Sequence, residues 1–495
     1  LKTLEIMLDA LRGCKNLCGL FLFCAVTAMA AHAQTLTTLL DFDGTNGRSP
    51  AGLIQGFDGN LYGTTLFGGT PQVGTAFKVT PTGTLTTLHT FCLKGGLCLD
   101  GRVPAGGLTQ ATNGTFFGPT NNGGTSGLGV IFSVTASGKF AVLHNFCSLS
   151  SCADGEAPNA VVQARNGNLY GTAPAGGASF MGSVFELTLS GTLTVLHGFS
   201  GPDGASPAGA LIQARNGNLY GTTVQGGASS GCAVAGVVGC GTVFEITPSG
   251  TLTTLHSFEG PDGQYPAEAL VQAADGNFYG VTGGGGSGSG NQCAYGCGTV
   301  YKIGSAGKFT TLYNFCSLPN CTDGNSPSSL VQGTDGNFYG TTGVGGDSRG
   351  DGTIFKITPQ GELTTLYHLC SQPNCADGSN PQAALIQDTD GNFYGTTGNG
   401  GGSSDFGTIF RFSMGLGPFV KLLQDSGKVG ETGYILGQGF TGATGVFLNG
   451  TPVSFTVVSD TLIRGIVPPG ATTGFVTVET SGGTLTSNVS FYVIP

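Results

Sequence analysis

Twelve cysteines carry the plainest chemistry in this sequence, and they fall into six close pairs: Cys92/Cys98, Cys147/Cys152, Cys232/Cys240, Cys293/Cys297, Cys316/Cys321 and Cys370/Cys375. Paired thiols in an exported chain oxidise to disulfides; in an unoxidised one they can hold zinc. Structural zinc sites favour two-residue knuckles and none of these pairs has that spacing, so disulfides are the expected state. Seven aspartates recur in an Asp-Gly-x-x-Pro setting, with a longer variant in the first copy: Asp43, Asp100, Asp154, Asp203, Asp262, Asp323 and Asp377. Carboxylates repeated around one rim could bind cations or sugar hydroxyls. An aspartate that recurs in every copy also caps its own turn, and turn-capping is the preferred reading. A calcium loop needs several oxygens close together, and no D-x-D-x-D-G run is present.

Other candidates are weaker. Seven glutamines end an Ala-Leu-(Ile/Val)-Gln motif at positions 55, 110, 163, 213, 272, 332 and 387, where they could line a polar ring or hydrogen-bond between units. His89, His144, His197 and His256 share a position that Tyr313, Tyr367 and Leu40 take in other copies, which points to packing rather than metal binding. The Arg349-Gly350-Asp351 tripeptide arises easily in a Gly-rich chain and receives no adhesive role. Glu156, Glu186, Glu245 and Glu268 do not repeat, yet they form no obvious acid/base pair. No nucleophile elbow, H-E-x-x-H or phosphate loop appears, so no catalytic, cofactor or metal residue is assigned. With 18 Lys+Arg against 28 Asp+Glu and a net charge of -10, the chain lacks the basic cluster that a nucleic-acid backbone requires.

These residues sit on a strongly repetitive framework. The 495 residues include 91 glycines and no Trp, without a Gly-x-y period, a composition suited to many short strands joined by Gly-rich turns. Asn-(Leu/Phe)-Tyr-Gly recurs with its glycine at 63, 171, 221, 280, 340 and 395, and a degenerate copy ends at Gly118. Each unit holds four strand-like runs. In the fifth copy these are Ala269–Gln272, Phe278–Thr282, Gly298–Ile303 and Lys308–Phe315, with Asp275-Gly276-Asn277 as the first hairpin turn. Apolar groups lie on both faces of the strands, as in Val243 against Phe244 and Ile246, so each sheet must be covered on both sides. Four-stranded antiparallel units of this period imply propeller blades. The phase of the repeat implies closure. Thr35–Phe42 is a fourth-strand motif with no strands before it, and the seventh unit stops after its third strand, Gly407–Ser413. The expected fold is all-β: a seven-bladed propeller over residues 34–413, closed by the N-terminal strand, which removes the open edge.

Residues 1–33 read as an export signal, with Arg12 and Lys15 ahead of an apolar run from Leu17 to Ala30 and an Ala31-His32-Ala33 cleavage site. Residues 414–495 leave the repeat. Alternating strands around the Asn449-Gly450 turn fit an immunoglobulin-like β-sandwich expected to act as a spacer or docking module.

The repeat resembles the GloVer tandem repeat of bacterial exported proteins, carried most clearly by the Asp-Gly-Asn-Phe-Tyr-Gly-Thr-Thr to Gly-Thr-Ile-Phe-Lys-Ile-Thr-Pro segment at 335–359 and its counterpart at 275–303. The last segment is similar to an IPT/TIG domain through Gly437-Gln438-Gly439-Phe440, Val446-Phe447-Leu448-Asn449-Gly450 and Val467-Pro468-Pro469-Gly470. The first resemblance implies a surface-associated protein with no established biochemical activity. If the fourth strand is outermost, the connections from strand four to strand one and from strand two to strand three leave on one side. All six cysteine pairs then lie on that face. The expected function is that of a secreted or cell-surface interaction protein, binding an unidentified extracellular protein or glycan there. The alternative is an extracellular enzyme acting on glycans or peptides at the same rim. No nucleic-acid partner, and no transmembrane segment after signal cleavage, is expected.

Overall fold

The computed structural model describes residues 34–494 except 94, 235, 289–292, 294 and 403; the segment 1–33, expected to be an export signal, lies outside them. Seven antiparallel sheets repeat one meander. In the first blade the strands are Arg48–Gln55, Leu61–Phe67, Thr75–Val79 and Leu85–Thr90, paired in that order. The Val/Ile/Phe-rich third strand is buried on both faces in every blade; Thr299–Ile303 exposes only Lys302 in part.

The seventh blade holds Ile386–Gln387, Phe393–Thr397 and Thr408–Ser413, and its fourth strand is Thr35–Asp41 from the other end of the chain. That strand runs antiparallel to Thr408–Ser413 from Thr35 opposite Ser413 to Asp41 opposite Thr408. The chain is therefore a closed seven-bladed β-propeller. First strands vary in length: Arg48–Gln55 and Asn325–Gln332 have eight residues, whereas in the fifth blade only Val271–Gln272 pairs, short of the expected Ala269–Gln272. Pro266 has no N–H to contribute to a ladder, and the segment after it bonds sideways instead, with the Thr222 hydroxyl of the fourth blade donating to the Glu268 carbonyl.

Apolar contacts between blades repeat around the ring. The aromatic residue that follows strand four meets the third-strand aromatic of the next blade edge to face: Phe91 on Phe132 at 5.1 Å, Phe146 on Phe185 at 5.2 Å, Phe199 on Phe244 at 5.4 Å, Phe258 on Tyr301 at 5.2 Å and Phe315 on Phe355 at 5.2 Å. Phe42 makes the same contact with Phe77 across the seam, at 5.6 Å. The glutamines supply a polar counterpart. Oε1 of Gln110, Gln163, Gln213, Gln272, Gln332 and Gln387 each accepts from a backbone N–H of the preceding blade, while Nε2 donates to the carbonyl of its own first turn. They are inter-blade ties. Gln55 differs: at the seam its Nε2 donates to Asp388 Oδ1 and Thr389 Oγ1.

Residues 421–494 form two facing sheets. One orders Lys421–Leu422, Thr432–Leu436, Leu462–Ile466 and Ser454–Ser459; the other orders Thr451–Pro452, Gly445–Leu448, Val476–Thr480 and Gly483–Thr486. Ile435, Phe440, Val446, Leu448, Ile463 and Val478 fill the space between them. Asn449 and Gly450 make the tight hairpin turn, both at positive φ.

The ring depends on its seam. Phe42→Ala should lower the unfolding free energy by about 3–5 kcal/mol, the usual cost of emptying a fully buried Phe site. Urea unfolding of the purified chain checks this; a loss under 1 kcal/mol would show that the first strand contributes little to closure.

Candidate functional site

Backbone hydrogen bonds establish the sidedness of the loops. In each blade a glycine of the loop between strands two and three donates to a carbonyl of the connection entering that blade: Gly69 to Gly44, Gly124 to Cys98, Gly177 to Cys152, Gly227 to Gly201, Gly286 to Gly260, Gly346 to Cys321 and Gly401 to Cys375. Both loop classes leave on one side. All six expected disulfides form there: Cys92–Cys98, Cys147–Cys152, Cys232–Cys240, Cys293–Cys297, Cys316–Cys321 and Cys370–Cys375. The sulfurs of Cys293, Cys297, Cys316 and Cys321 lie within 4.8 Å of one another, so two bridges are neighbours. The eight cysteines of the blade-to-blade connections all have positive φ, from 49° at Cys98 and Cys375 to 60° at Cys316. That left-handed backbone costs a non-glycine residue about 1 kcal/mol or more, and the covalent staple offsets it.

The expectation that the cysteine pairs themselves decorate the surface needs correction. Cys240 and Cys297 have no exposed area, and Cys92, Cys98, Cys232, Cys321 and Cys370 are also buried. Cys240 is the clearest case. It lies just ahead of the third strand Thr242–Ile246, which is buried on both faces, and it joins a core cluster with Cys232, Val243 and Phe258. Its carbonyl accepts from Tyr265 N of the next connection, which holds it inside. A disulfide sulfur has no strong polar group to keep in water, so it packs as a small apolar group. Cys240 and its fellows are thus anchors beneath the face, and the loops they staple, not the sulfurs, form its surface.

The seven rim aspartates face inward to their own loops, and Asp154, Asp323 and Asp377 have no exposed area at all. Asp43 accepts from the N–H groups of Thr45 and Asn46. Asp154 accepts from Ser148 N and Oγ and Leu149 N, and Asp323 from Ser317 N and Leu318 N. Asp377 accepts from Ser371 N and Gln372 N, Asp100 from Cys92 N, Asp203 from Ser200 N and Asp262 from Glu259 N. Burial pushes the carboxyls of Asp154, Asp203 and Asp262 up, but these hydrogen bonds outweigh it and hold them below the ordinary range. The histidines pack, as His89 does on Phe140 at 3.7 Å, and also reach these carboxylates. Nε2 lies 2.9 Å from Asp100 in His89, 3.3 Å from Asp154 in His144, 2.7 Å from Asp203 in His197 and 2.8 Å from Asp262 in His256. Tyr313 and Tyr367 donate in the same way to Asp323 and Asp377 at 2.8 and 2.9 Å. A donor at that height explains why His and Tyr interchange.

Two of the non-repeating glutamates have a structural role on the opposite side. In blades with an Asp-Gly-Asn turn the aspartate accepts from a buried Tyr hydroxyl, as Asp275 does from Tyr279 at 2.9 Å, with Lys302 beside it. Blades three and four have Asn166 and Asn216 at that turn position. Glu186 and Glu245 take over there, accepting from Tyr170 and Tyr220 at 2.8 and 2.7 Å. Arg349 donates to the Cys370 carbonyl of the neighbouring blade-to-blade connection, so the Arg-Gly-Asp tripeptide is tied to that loop.

Glu268 has no such explanation. It stands at the entrance of a first strand, four residues before the closing glutamine, where the other blades carry the uncharged Ala51, Gly106, Asn159, Gly209, Ser328 and Ala383. It lines a cavity of about 580 Å³ at the mouth of the central bore, on the disulfide face, together with Ala105, Ala208, Ala267, Asn159 and Phe67. Among the lining residues it is the single ionisable one. Glu268 is partly exposed into this cavity, and burial pushes its carboxyl up to about 8. Sequence inspection singled Glu268 out as non-repeating but sought a partner for it. The stronger signal is one acidic side chain at a register position otherwise occupied by small uncharged residues.

The other end of the bore is covered. Arg165 and Arg215 of blades three and four converge on Asp425, at 3.7 and 3.2 Å, and Arg215 lies over the Tyr492 ring at 4.5 Å. Across the ring, Tyr434 stacks on Phe57 of blade one at 6.3 Å, and Phe419 N donates to Thr389 O of blade seven. Contacts with opposite sides of the ring place the C-terminal sandwich across the axis, as a cap rather than a spacer. Lys421 lies half-buried at the seam near Asp388, whose carboxyl burial raises to about 6.

Fold and site together define a capped seven-bladed propeller with one open, disulfide-stapled face. The chain belongs to the Gloeobacter/Verrucomicrobia repeat family, whose model matches residues 23–153, 148–318 and 289–451, and residues 418–493 match the IPT/TIG domain. No curated protein sequence matches it. Among solved structures, the extracellular domain of a protein described as a hybrid two component system from B. thetaiotaomicron is 11% identical with a TM-score of 0.48; the match covers 93% of this chain and 58% of that one, so the chain spans little more than half of it. A fungal alcohol oxidase of the AA5 family, in complex with copper, is 13% identical with a TM-score of 0.49, covering 93% of this chain and 99% of that one. These likenesses are remote, and nothing about this chain is drawn from them.

Two measurements test this geometry. Glu186→Ala leaves the Tyr170 hydroxyl without its acceptor and should cost about 1–3 kcal/mol; adding Asn166→Asp, which restores the arrangement of the other blades, should recover most of it in urea unfolding. For Glu268, the folded state binds the proton more tightly than the unfolded chain does. Its contribution to stability is therefore greatest below the unfolded pKa near 4.3, falls as pH rises and is lowest above about 8. Glu268→Gln should raise Tm more at pH 8.5 than at pH 5; equal shifts would mean the carboxyl is freely solvated.

Proposed function

We propose that this is an extracellular or cell-surface interaction protein that binds a protein or glycan through the disulfide-bearing face. One observation carries the reading: among the described residues, ten of the fifteen large apolar side chains left exposed belong to that face, namely Phe67, Leu93, Leu97, Leu99, Leu149, Phe180, Val238, Tyr295, Leu318 and Val344. Concentrated exposed apolar area on one surface marks an interaction site. Leu97 is 75% exposed and Tyr295 70% exposed, each within a stapled loop. Stapling limits the ordering entropy that loops lose on binding. The first stapled loop, with Leu93, Leu99, His89 and Asp100, also lines a groove of about 790 Å³. Six disulfides and the signal-like N-terminus support export, and among the described residues no helix is long and apolar enough to cross a membrane.

An enzymic reading needs a second acid or base beside Glu268, and the cavity lining described above supplies none. The test is a glycan array and a panel of extracellular proteins probed with the purified chain and with a Leu97→Glu/Tyr295→Glu variant. Both positions are solvent-exposed, so Tm should change by less than 2 °C. Any bound component should be lost by at least tenfold in the variant. Binding that is unchanged would move the interaction surface elsewhere.

A further inference from the structure

We propose that the mouth of the bore is a receptor for an organic cation on an apolar stem, an alkylammonium or guanidinium group with Glu268 as its counter-ion. The inference rests on the reading of this face as the binding face. The cavity offers one carboxylate and walls of small uncharged residues, including Ala105, Gly106, Ala208, Ala267 and Ala383. Among the described residues Glu268 makes no side-chain hydrogen bond and no ion pair. The rim aspartates are engaged in their own loops, as Asp154 is with Ser148. Backbone oxygens of the same wall are engaged as well: Thr64 donates to the carbonyls of Pro104 and Gly106, Asn159 to Pro207, Thr222 to Glu268 and Ser328 to Pro381. A divalent metal needs six or so oxygens, and the site presents a single carboxylate. An ammonium or guanidinium needs one charge-assisted partner, and its methylene stem fits alanine and glycine walls. About 580 Å³ is ample for a side-chain-sized ligand.

An unpartnered carboxyl in this setting is also poised for linkage. Burial raises the Glu268 carboxyl and so favours its protonated form, and a bound cation would favour the carboxylate and drive the proton off. The chemistry is shared by free alkylamines and by lysine or arginine side chains presented by a polypeptide partner.

The experiment is calorimetric titration of the intact chain with n-hexylammonium, with hexanol as neutral isostere, with calcium, and with a lysine-centred tripeptide blocked at both ends. The expected result is saturable binding of hexylammonium with proton release at pH 6.5 that vanishes at pH 9. Hexanol, and hexylammonium on Glu268→Gln, should bind at least tenfold more weakly. Ala383→Leu, which places a bulky side chain at the matching register position of blade seven and leaves Glu268 in place, should weaken binding similarly. A tripeptide that binds more tightly than hexylammonium assigns the cation to a polypeptide, and equal affinities assign it to a small molecule; both support the proposal. Absence of hexylammonium binding, equal affinity in Glu268→Gln, or tighter Glu268-dependent binding of calcium would overturn it. The Leu97→Glu/Tyr295→Glu variant separates the two readings. If it loses partner binding yet keeps hexylammonium, the apolar rim and the bore act as distinct parts of one face. If hexylammonium binds nowhere while partner binding is still lost in that variant, the face stands and the cation site falls.

Discussion

Blades whose sheets carry apolar groups on both faces must pack on one another to leave water, and the whole molecule depends on that packing running unbroken around the ring. Each blade ends in an outer fourth strand, and in the seventh that strand comes from the other end of the chain. The pairing of Thr35–Asp41 with Thr408–Ser413 completes that blade, and the same strand delivers Phe42 to Phe77, so that aromatic contact also crosses the seam. Pairing between chain ends so distant in sequence closes a large loop, which costs entropy. The glutamine ties repeat around the axis and distribute the gain over every blade boundary.

The seam is also the place where the repeat is least regular. Six glutamines receive a backbone N–H, whereas Gln55 donates to Asp388 and Thr389. Lys421 lies half-buried nearby, and the C-terminal sandwich begins there. The sandwich thereby does more than follow the ring: through Asp425, Tyr434 and Phe419 it bridges opposite blades on the turn face. One end of the bore is covered, and the stapled end is left as the accessible one.

Charge in so sparsely charged a chain is placed with local logic. Turn aspartates occur with buried tyrosines, and where the turn carries Asn166 or Asn216 a glutamate on the third strand takes the aspartate's place. Rim aspartates meet His or Tyr donors at one height. Once these substitutions are understood as interchangeable ways of satisfying a buried hydroxyl or a loop N–H, Glu268 stands apart as the one ionisable residue lining the cavity at the bore.

Much of this was legible in the residues themselves. Seven blades, the closing strand, the sandwich and the six cysteine pairs follow from periodicity, turn chemistry and the phase at which the repeat is cut, because each of these is a local or register property. Strand identity also implied the sidedness of the loops. Tertiary structure alone decided four things. It showed that Gln272 and its counterparts join neighbouring blades and that His89 reaches Asp100, since both contacts depend on how blades and loops approach one another. It drew Cys240 into the core, because the strand that follows it is covered from both sides. It set the sandwich across the bore, where sequence had left a spacer or a docking module open. And it brought the entrances of the first strands together around one axis, turning a solitary glutamate among alanines and glycines into the one charged group of a cavity. Periodicity specifies which residues share a position; only the closed ring specifies which positions share a space.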